Sequence, residues 1–143
     1  SRLDALQAAI LLVKLKYLDQ WGEGRRRNAA RYHQLFGDAN LLDRVKLPVV
    51  DGANHHVFNQ FTVRVSKRDQ LRTHLKEKGV GTEVYYPLPM HLQNCYPELA
   101  HQKGSFPISE QAAADVFSLP IYVELQEEPL AHVVQSVAEF YGR

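Results

Sequence analysis

The chain of 143 residues is long enough to bury a core, and its 45% hydrophobic and 23% charged content is that of an ordinary globular protein. A formal net charge of +1 excludes a dedicated nucleic-acid binder, and the single Cys excludes an internal disulfide and fits a reducing, cytoplasmic setting. The apolar run from Ala8 to Val13 is stopped by Lys14 and Lys16, well short of a membrane span.

The sequence opens at Ser1-Arg2-Leu3-Asp4 without an initiator Met, as expected of a fragment or a processed product. Leu3 to about Leu18 reads as a strong helix, with Leu3, Leu6, Ile10, Val13 and Tyr17 on one face. Ala5, Ala8, Ala9, Leu11, Leu12 and Leu15 widen that face until little of the helix is polar. Such a helix wants burial on two sides, by a second domain or a partner subunit.

Gly22 and Gly24 are expected to weaken or kink the helix, each costing about 1 kcal/mol relative to Ala. Helix resumes from about Arg25 to Phe36, and Gly37-Asp-Ala-Asn40 ends it. Arg25-Arg26-Arg27 reads as a solvated helix face, with phosphate contact as the sharper alternative. Val45 to Val50 is a short edge strand interrupted by Pro48, and Asp51–Asn54 is a turn.

His55 to Val65 is the longest strand candidate, with Val57, Asn59, Phe61, Val63 and Val65 on one face. In such a strand His55 and His56 point to opposite faces and cannot chelate one ion. Ser66 reads as the N-cap of a helix over Lys67–Lys78, with Asp69 in the capping-box position and Gly79 as the stop.

The most informative stretch is Gly79-Val-Gly-Thr-Glu-Val-Tyr-Tyr-Pro-Leu-Pro-Met-His91. Val80, Thr82 and Val84 alternate with Gly81, Glu83 and Tyr85, the period of a half-buried strand. Pro87 and Pro89 then stiffen the backbone, so that Tyr85, Tyr86 and His91 are presented on a rigid tip suited to binding. His91 either contacts a phosphate or sugar hydroxyl or caps a local turn. His91 and Cys95 stand four apart, but two ligands without a second pair make a weak metal signal.

A loop from Leu92 through Gly104 leads to a helix over Pro107–Phe117, with Pro in its first turn. Leu119–Tyr122 is a brief strand. Gln126–Tyr141 closes the chain as an amphipathic helix with Leu130, Val133, Val134, Val137 and Phe140 in its stripe. The fold class expected is α+β, residues 1–143 forming a single domain: a long kinked N-terminal helix, then a small, mainly antiparallel sheet covered by helices. There is no nucleophile motif, no phosphate-cradling Gly loop and no recognisable carboxylate pair.

These residues resemble the C-terminal domain of the DegT/DnrJ/EryC1/StrS sugar aminotransferases. The resemblance rests on Ser1-Arg-Leu-Asp-Ala-Leu-Gln-Ala-Ala-Ile-Leu11, on the stretch His56-x-Phe-x-x-Phe-x-Val-Arg-Val65 and Gly79-Val-Gly-Thr82, and on Tyr86-Pro-Leu-Pro-Met-His91. Phe106-Pro-x-Ser-Glu110 and Ser118-Leu-Pro-Ile-Tyr122 extend it. It implies that the whole enzyme uses pyridoxal phosphate to move an amino group, usually from glutamate, onto a keto sugar carried on a nucleotide diphosphate. It further implies substrate binding by Tyr85, Tyr86 and His91, and a homodimer contact through Leu3–Leu18. Arg2 is implied as a cofactor-site residue facing a partner's cleft; read without the family, Arg2 is an exposed residue near a chain end.

Where many members carry His-Tyr-Pro, this chain has Tyr85-Tyr86-Pro87, which keeps a hydrogen-bonding aromatic and removes a possible cation. The cofactor-holding Lys of the family belongs upstream of Ser1, in an N-terminal domain that this sequence lacks. Transamination needs that Lys, so this chain alone is not expected to be active. The rival reading is a stand-alone, non-catalytic binding or dimerisation module.

Overall fold

In the computed structural model, residues 2–95 and 100–143 are described. Five helices and two strands follow in the order α1 (Ala5–Leu15), α2 (Leu18–Asp38), β1 (Phe61–Arg64), α3 (Arg68–Glu77), α4 (Pro107–Asp115), β2 (Val116–Leu119) and α5 (Glu127–Tyr141). A 3-10 turn at Met90–Leu92 lies between α3 and α4. The chain is thus mostly helical around a small antiparallel sheet.

Asp4 opens α1 by accepting a hydrogen bond from the Gln7 amide at 3.1 Å. The helix breaks at Lys16–Tyr17 rather than at the glycines, and Tyr17 stacks on Trp21 across the break with ring centroids 5.9 Å apart. α2 then runs unbroken through Gly22 and Gly24, because packing of Ala29, Tyr32 and Phe36 into the core overrides their low propensity. Its end uses Asn40 in the left-handed conformation: the Leu41 amide reaches back to the Phe36 carbonyl and the Asn40 amide to that of Gly37.

β1 and β2 pair antiparallel in the register Phe61↔Leu119, Thr62↔Ser118, Val63↔Phe117 and Arg64↔Val116. Phe61, Val63, Phe117 and Leu119 fall on the buried face, as alternation requires. On the opposite face the Thr62 and Ser118 hydroxyls share a hydrogen bond of 2.9 Å. The core is completed by Leu71 and Leu75 of α3 and by Leu130, Val133, Val134 and Val137 of α5, which packs against both α2 and α3.

Several sequence expectations are corrected. The strand expected over His55–Val65 is confined to Phe61–Arg64, because Phe58 takes a left-handed backbone (φ 46°) that turns the chain and seats its ring 6.1 Å from Phe61. His55 and His56 therefore lie outside the strand, and both are exposed. The segments 45–50 and 80–85 contribute one antiparallel pairing each, Lys46 with Arg64 and Glu83 with Ser118. Pro48 has no N–H with which to extend the first.

Lys67, not Ser66, precedes α3, and no side chain caps that helix. Gly79 does end it, in the left-handed conformation (φ 78°) that a side chain disfavours, with the Val80 amide bonded to the Leu75 carbonyl at 2.8 Å. α4 stops at Asp115, and the strand begins at Val116 instead of Leu119.

Of the strand expected over Leu119–Tyr122 only Leu119 belongs to β2, and the segment 120–123 is a strap across α2. Its carbonyls turn to helix side chains, with the Tyr32 hydroxyl donating to Pro120 O at 2.9 Å and Asn28 Nδ2 to Tyr122 O at 2.8 Å. Gly24, one turn before Asn28, lies directly beneath Val123. Burial, with Tyr122 nearby, pushes the Tyr32 phenol well above its usual range and keeps it a neutral donor.

Candidate functional site

The site candidate begins where α3 hands over to the Gly79 turn. Arg72 fixes the outgoing chain by donating to both the hydroxyl and the carbonyl of Thr82, each at 3.1 Å. Glu83 then pairs with Ser118 through both backbone bonds, at 2.7 and 3.3 Å. Tyr85 and Tyr86 follow, joined by a cis peptide bond, with their rings edge to face at 6.1 Å. Tyr85 is 45% and Tyr86 74% exposed, so both phenols are open to a ligand.

Beyond them the chain passes Pro87 and Pro89 into the Met90–Leu92 turn. The His91 side chain, only 8% exposed, places Nε2 3.0 Å from Glu110 Oε1, and its ring meets Phe106 edge-on at 4.9 Å. The same Glu110 oxygen accepts from the Gly104 amide at 2.7 Å and the Phe106 amide at 3.4 Å. Desolvation works against charge on Glu110, but the Gly104 amide, the His91 ring and the Phe106 amide together hold its carboxyl below the usual range.

Two clefts meet at Tyr85. One, of about 520 Å³, has a loop wall of Tyr85, Tyr86, Leu88, Pro89, Met90 and Gln93, faced by Ser109, Ala112, Ala113 and Val116 of the α4–β2 segment. Among the described residues no charged side chain lines it. The other, of about 370 Å³, sets the polar side chains of Asn59, Gln60, Thr82, Glu83 and Ser118 against Leu119, Pro120 and Ile121 beside Tyr85. The structure therefore brings Tyr85 and Tyr86 together. His91 stands behind the loop, on neither lining, and Arg2 is exposed beside α1 and also lines neither cleft.

Glu110, Asn59 and Gln60 escaped the sequence reading as site residues. Glu110 carried a signal in Phe106-Pro-x-Ser-Glu110, whereas Asn59 and Gln60 were absorbed into the overlong strand. Of the Arg25–Arg27 cluster, Arg25 donates to Val57 O at 3.2 Å, and Arg26 bonds Glu23 at 3.1 Å and the His55 ring at 2.8 Å. Those two tie the 55–57 segment to α2 and are not a free phosphate-binding face.

Among the described residues no group of three or more His, Cys, Asp or Glu side chains is placed to hold a metal ion. Cys95 lies near Gln93 Oε1 at 3.7 Å, while the expected loop runs on through residues 96–99, outside the described residues. Among the described residues neither cleft is lined by a lysine, so those linings do not fit covalent attachment of a pyridoxal cofactor. No helix among the described residues is long and apolar enough to cross a membrane.

The family model described as the DegT/DnrJ/EryC1/StrS aminotransferase family matches residues 1–138. A pleiotropic regulatory protein of Geobacillus stearothermophilus is 48% identical over 141 residues, 99% of this chain and 38% of its own length. The dTDP-3-amino-3,4,6-trideoxy-alpha-D-glucose transaminase of Streptomyces venezuelae is 41% identical over 143 residues, 100% of this chain and 37% of its own.

Among solved structures, S. venezuelae DesV in complex with a ketimine intermediate superimposes with a TM-score of 0.91 at 38% identity, covering 99% of this chain and 38% of that one. NtdA of Bacillus subtilis with bound cofactor PMP gives 0.85 at 29% identity, over 99% and 33%. The chain spans 37–38% of the length of these curated relatives. Its fold matches the C-terminal part of the aminotransferase structures.

Proposed function

The chain belongs to the DegT/DnrJ/EryC1/StrS aminotransferase family, and we propose that it is the single C-terminal domain of a pyridoxal-phosphate-dependent enzyme acting on a nucleotide-linked keto sugar. In that reading the amino group leaves glutamate as 2-oxoglutarate forms, and takes the place of the keto oxygen on the sugar. The cofactor supplies the electron sink for this exchange when bound and is held by the N-terminal part of the longer enzyme. This chain's residues receive and orient the substrate.

The observation that carries the reading is the pair Tyr85 and Tyr86, both open to a ligand, lining a cleft with no charged side chain among its described residues, in a chain 41% identical to a nucleotide-sugar transaminase. Phenols donate and accept hydrogen bonds with sugar hydroxyls while their faces pack on a ring. With no charged side chain among the described residues of its lining, the cleft receives the sugar or the base, and the diphosphate is neutralised elsewhere. His91 supports the same wall from behind, through Glu110. Arg2 and the apolar face of Leu3–Leu18 serve a second subunit, Arg2 towards that subunit's cofactor site. The lone Cys95 supports a cytoplasmic location.

Titrating a dTDP-linked hexose against the whole protein tests this. Replacing Tyr86→Ala is expected to weaken binding about tenfold, as loss of one hydrogen bond and a stacking face implies. Tyr85→Phe is expected to weaken it less. Unchanged affinity in both variants would remove these residues from the site.

A further inference from the structure

One carboxylate oxygen holds both sides of the uncharged cleft in place. The loop wall and the α4 wall are separate in sequence, and the His91 Nε2 to Glu110 Oε1 bond is the one side-chain hydrogen bond between them among the described residues. Glu110 lies on α4 beside Ser109, which faces the cleft, while His91 follows Met90, which faces it from the other side. The same oxygen satisfies the Phe106 amide at the start of α4, where Pro107 in the first turn has no N–H and no other side chain caps the helix. It also takes the Gly104 amide, so three chain positions converge on one atom.

We propose that Glu110 is the positioning residue of the substrate cleft: by binding His91 it sets the spacing between the Tyr85–Gln93 wall and the α4 wall. Glu110 itself lines neither cleft. A carboxylate only accepts, so Nε2 of His91 carries the proton and a neutral ring is the Nε2–H tautomer. The ring is packed edge-on against Phe106, which His101 meets from another side at 4.9 Å. A ring held by a bond and by packing transmits the position of α4 to the loop that carries both tyrosines. The assignment of the cleft to a substrate rests on the function proposed above; the clamp between the walls does not.

The test uses the whole protein with ring-labelled histidine, Glu110→Ala and the near-isosteric Glu110→Gln. In the parent protein, long-range proton–nitrogen correlations are expected to show the His91 proton on Nε2. Glu110→Ala is expected to mix the two tautomers and to speed amide exchange at Gly104 and Phe106 about tenfold or more, the loss of one charge-assisted bond. Glu110→Gln, which keeps a carbonyl acceptor, is expected to restore part of both signals.

For a nucleotide-linked keto sugar, Glu110→Ala is expected to raise KM about tenfold with little change in kcat, because the residue shapes a binding wall. An unchanged tautomer and unchanged exchange in both variants would overturn the clamp. Altered exchange with an unmoved KM would overturn its role in positioning substrate. A parent protein that binds no nucleotide sugar while the exchange results hold would overturn the substrate reading of the cleft and leave the clamp standing.

Discussion

At Glu110, Glu139 and Asp69 the folded chain favours the ionised carboxyl, each for a local reason. Glu110 overcomes desolvation through the Gly104 amide, His91 and the Phe106 amide. Glu139 is held down by Lys78, whose Nζ lies 2.6 Å from Oε2, and Asp69 by the Arg68 guanidinium at 2.9 Å. All three carboxyls titrate lower when folded than when unfolded, so their stabilisation is complete above the ordinary carboxylate range. It is lost as the pH falls through the folded values. Thermal melts followed by circular dichroism should therefore decline below about pH 5. Glu110→Gln should show a shallower decline, since it removes one of the three titrating groups. A melting temperature indifferent to acid would contradict these three assignments.

Among the elements, α2 and the strap across it depend on a missing side chain. Gly24, Asn28 and Tyr32 lie at successive four-residue steps and hold residues 120–123 by a close approach and two hydrogen bonds. An added Cβ at Gly24 would press into the Val123 side chain and stand 3.4 Å from its Cα. Alanine would gain about 1 kcal/mol in helix propensity, yet overpacking costs about 1–3 kcal/mol. Gly24→Ala should accordingly lower the urea midpoint, and Val123→Ala in the same chain should recover much of that loss. A gain in stability from Gly24→Ala alone would show that the strap yields.

The sequence misread Gly24 because its reason lies far along the chain, where local propensity carries no information. The same limit explains Glu110, whose partner His91 belongs to another segment, and the overlong strand, ended by the left-handed Phe58. What depends on neighbours was legible. The Gly79 stop and the buried stripe of α5 stand where spacing put them.

For the whole molecule the decisive feature is α1. None of its residues is buried, and Leu6, Ile10, Leu11, Leu12, Val13 and Leu15 are each at least half exposed. Leu3, Leu11, Leu12, Leu15, Leu18 and Trp21 border an apolar hollow of about 520 Å³. A continuous apolar face of this kind marks an interaction surface. In the enzyme we propose, it is covered by the cofactor-bearing part of the protein and by a second subunit.

The most direct test is the intact mass of the native protein together with its near-ultraviolet and visible absorbance. A mass well above 16.4 kDa with the band of a bound pyridoxal cofactor is the result expected. A native species of 16.4 kDa without that band would contradict the account and leave a stand-alone binding or dimerisation module.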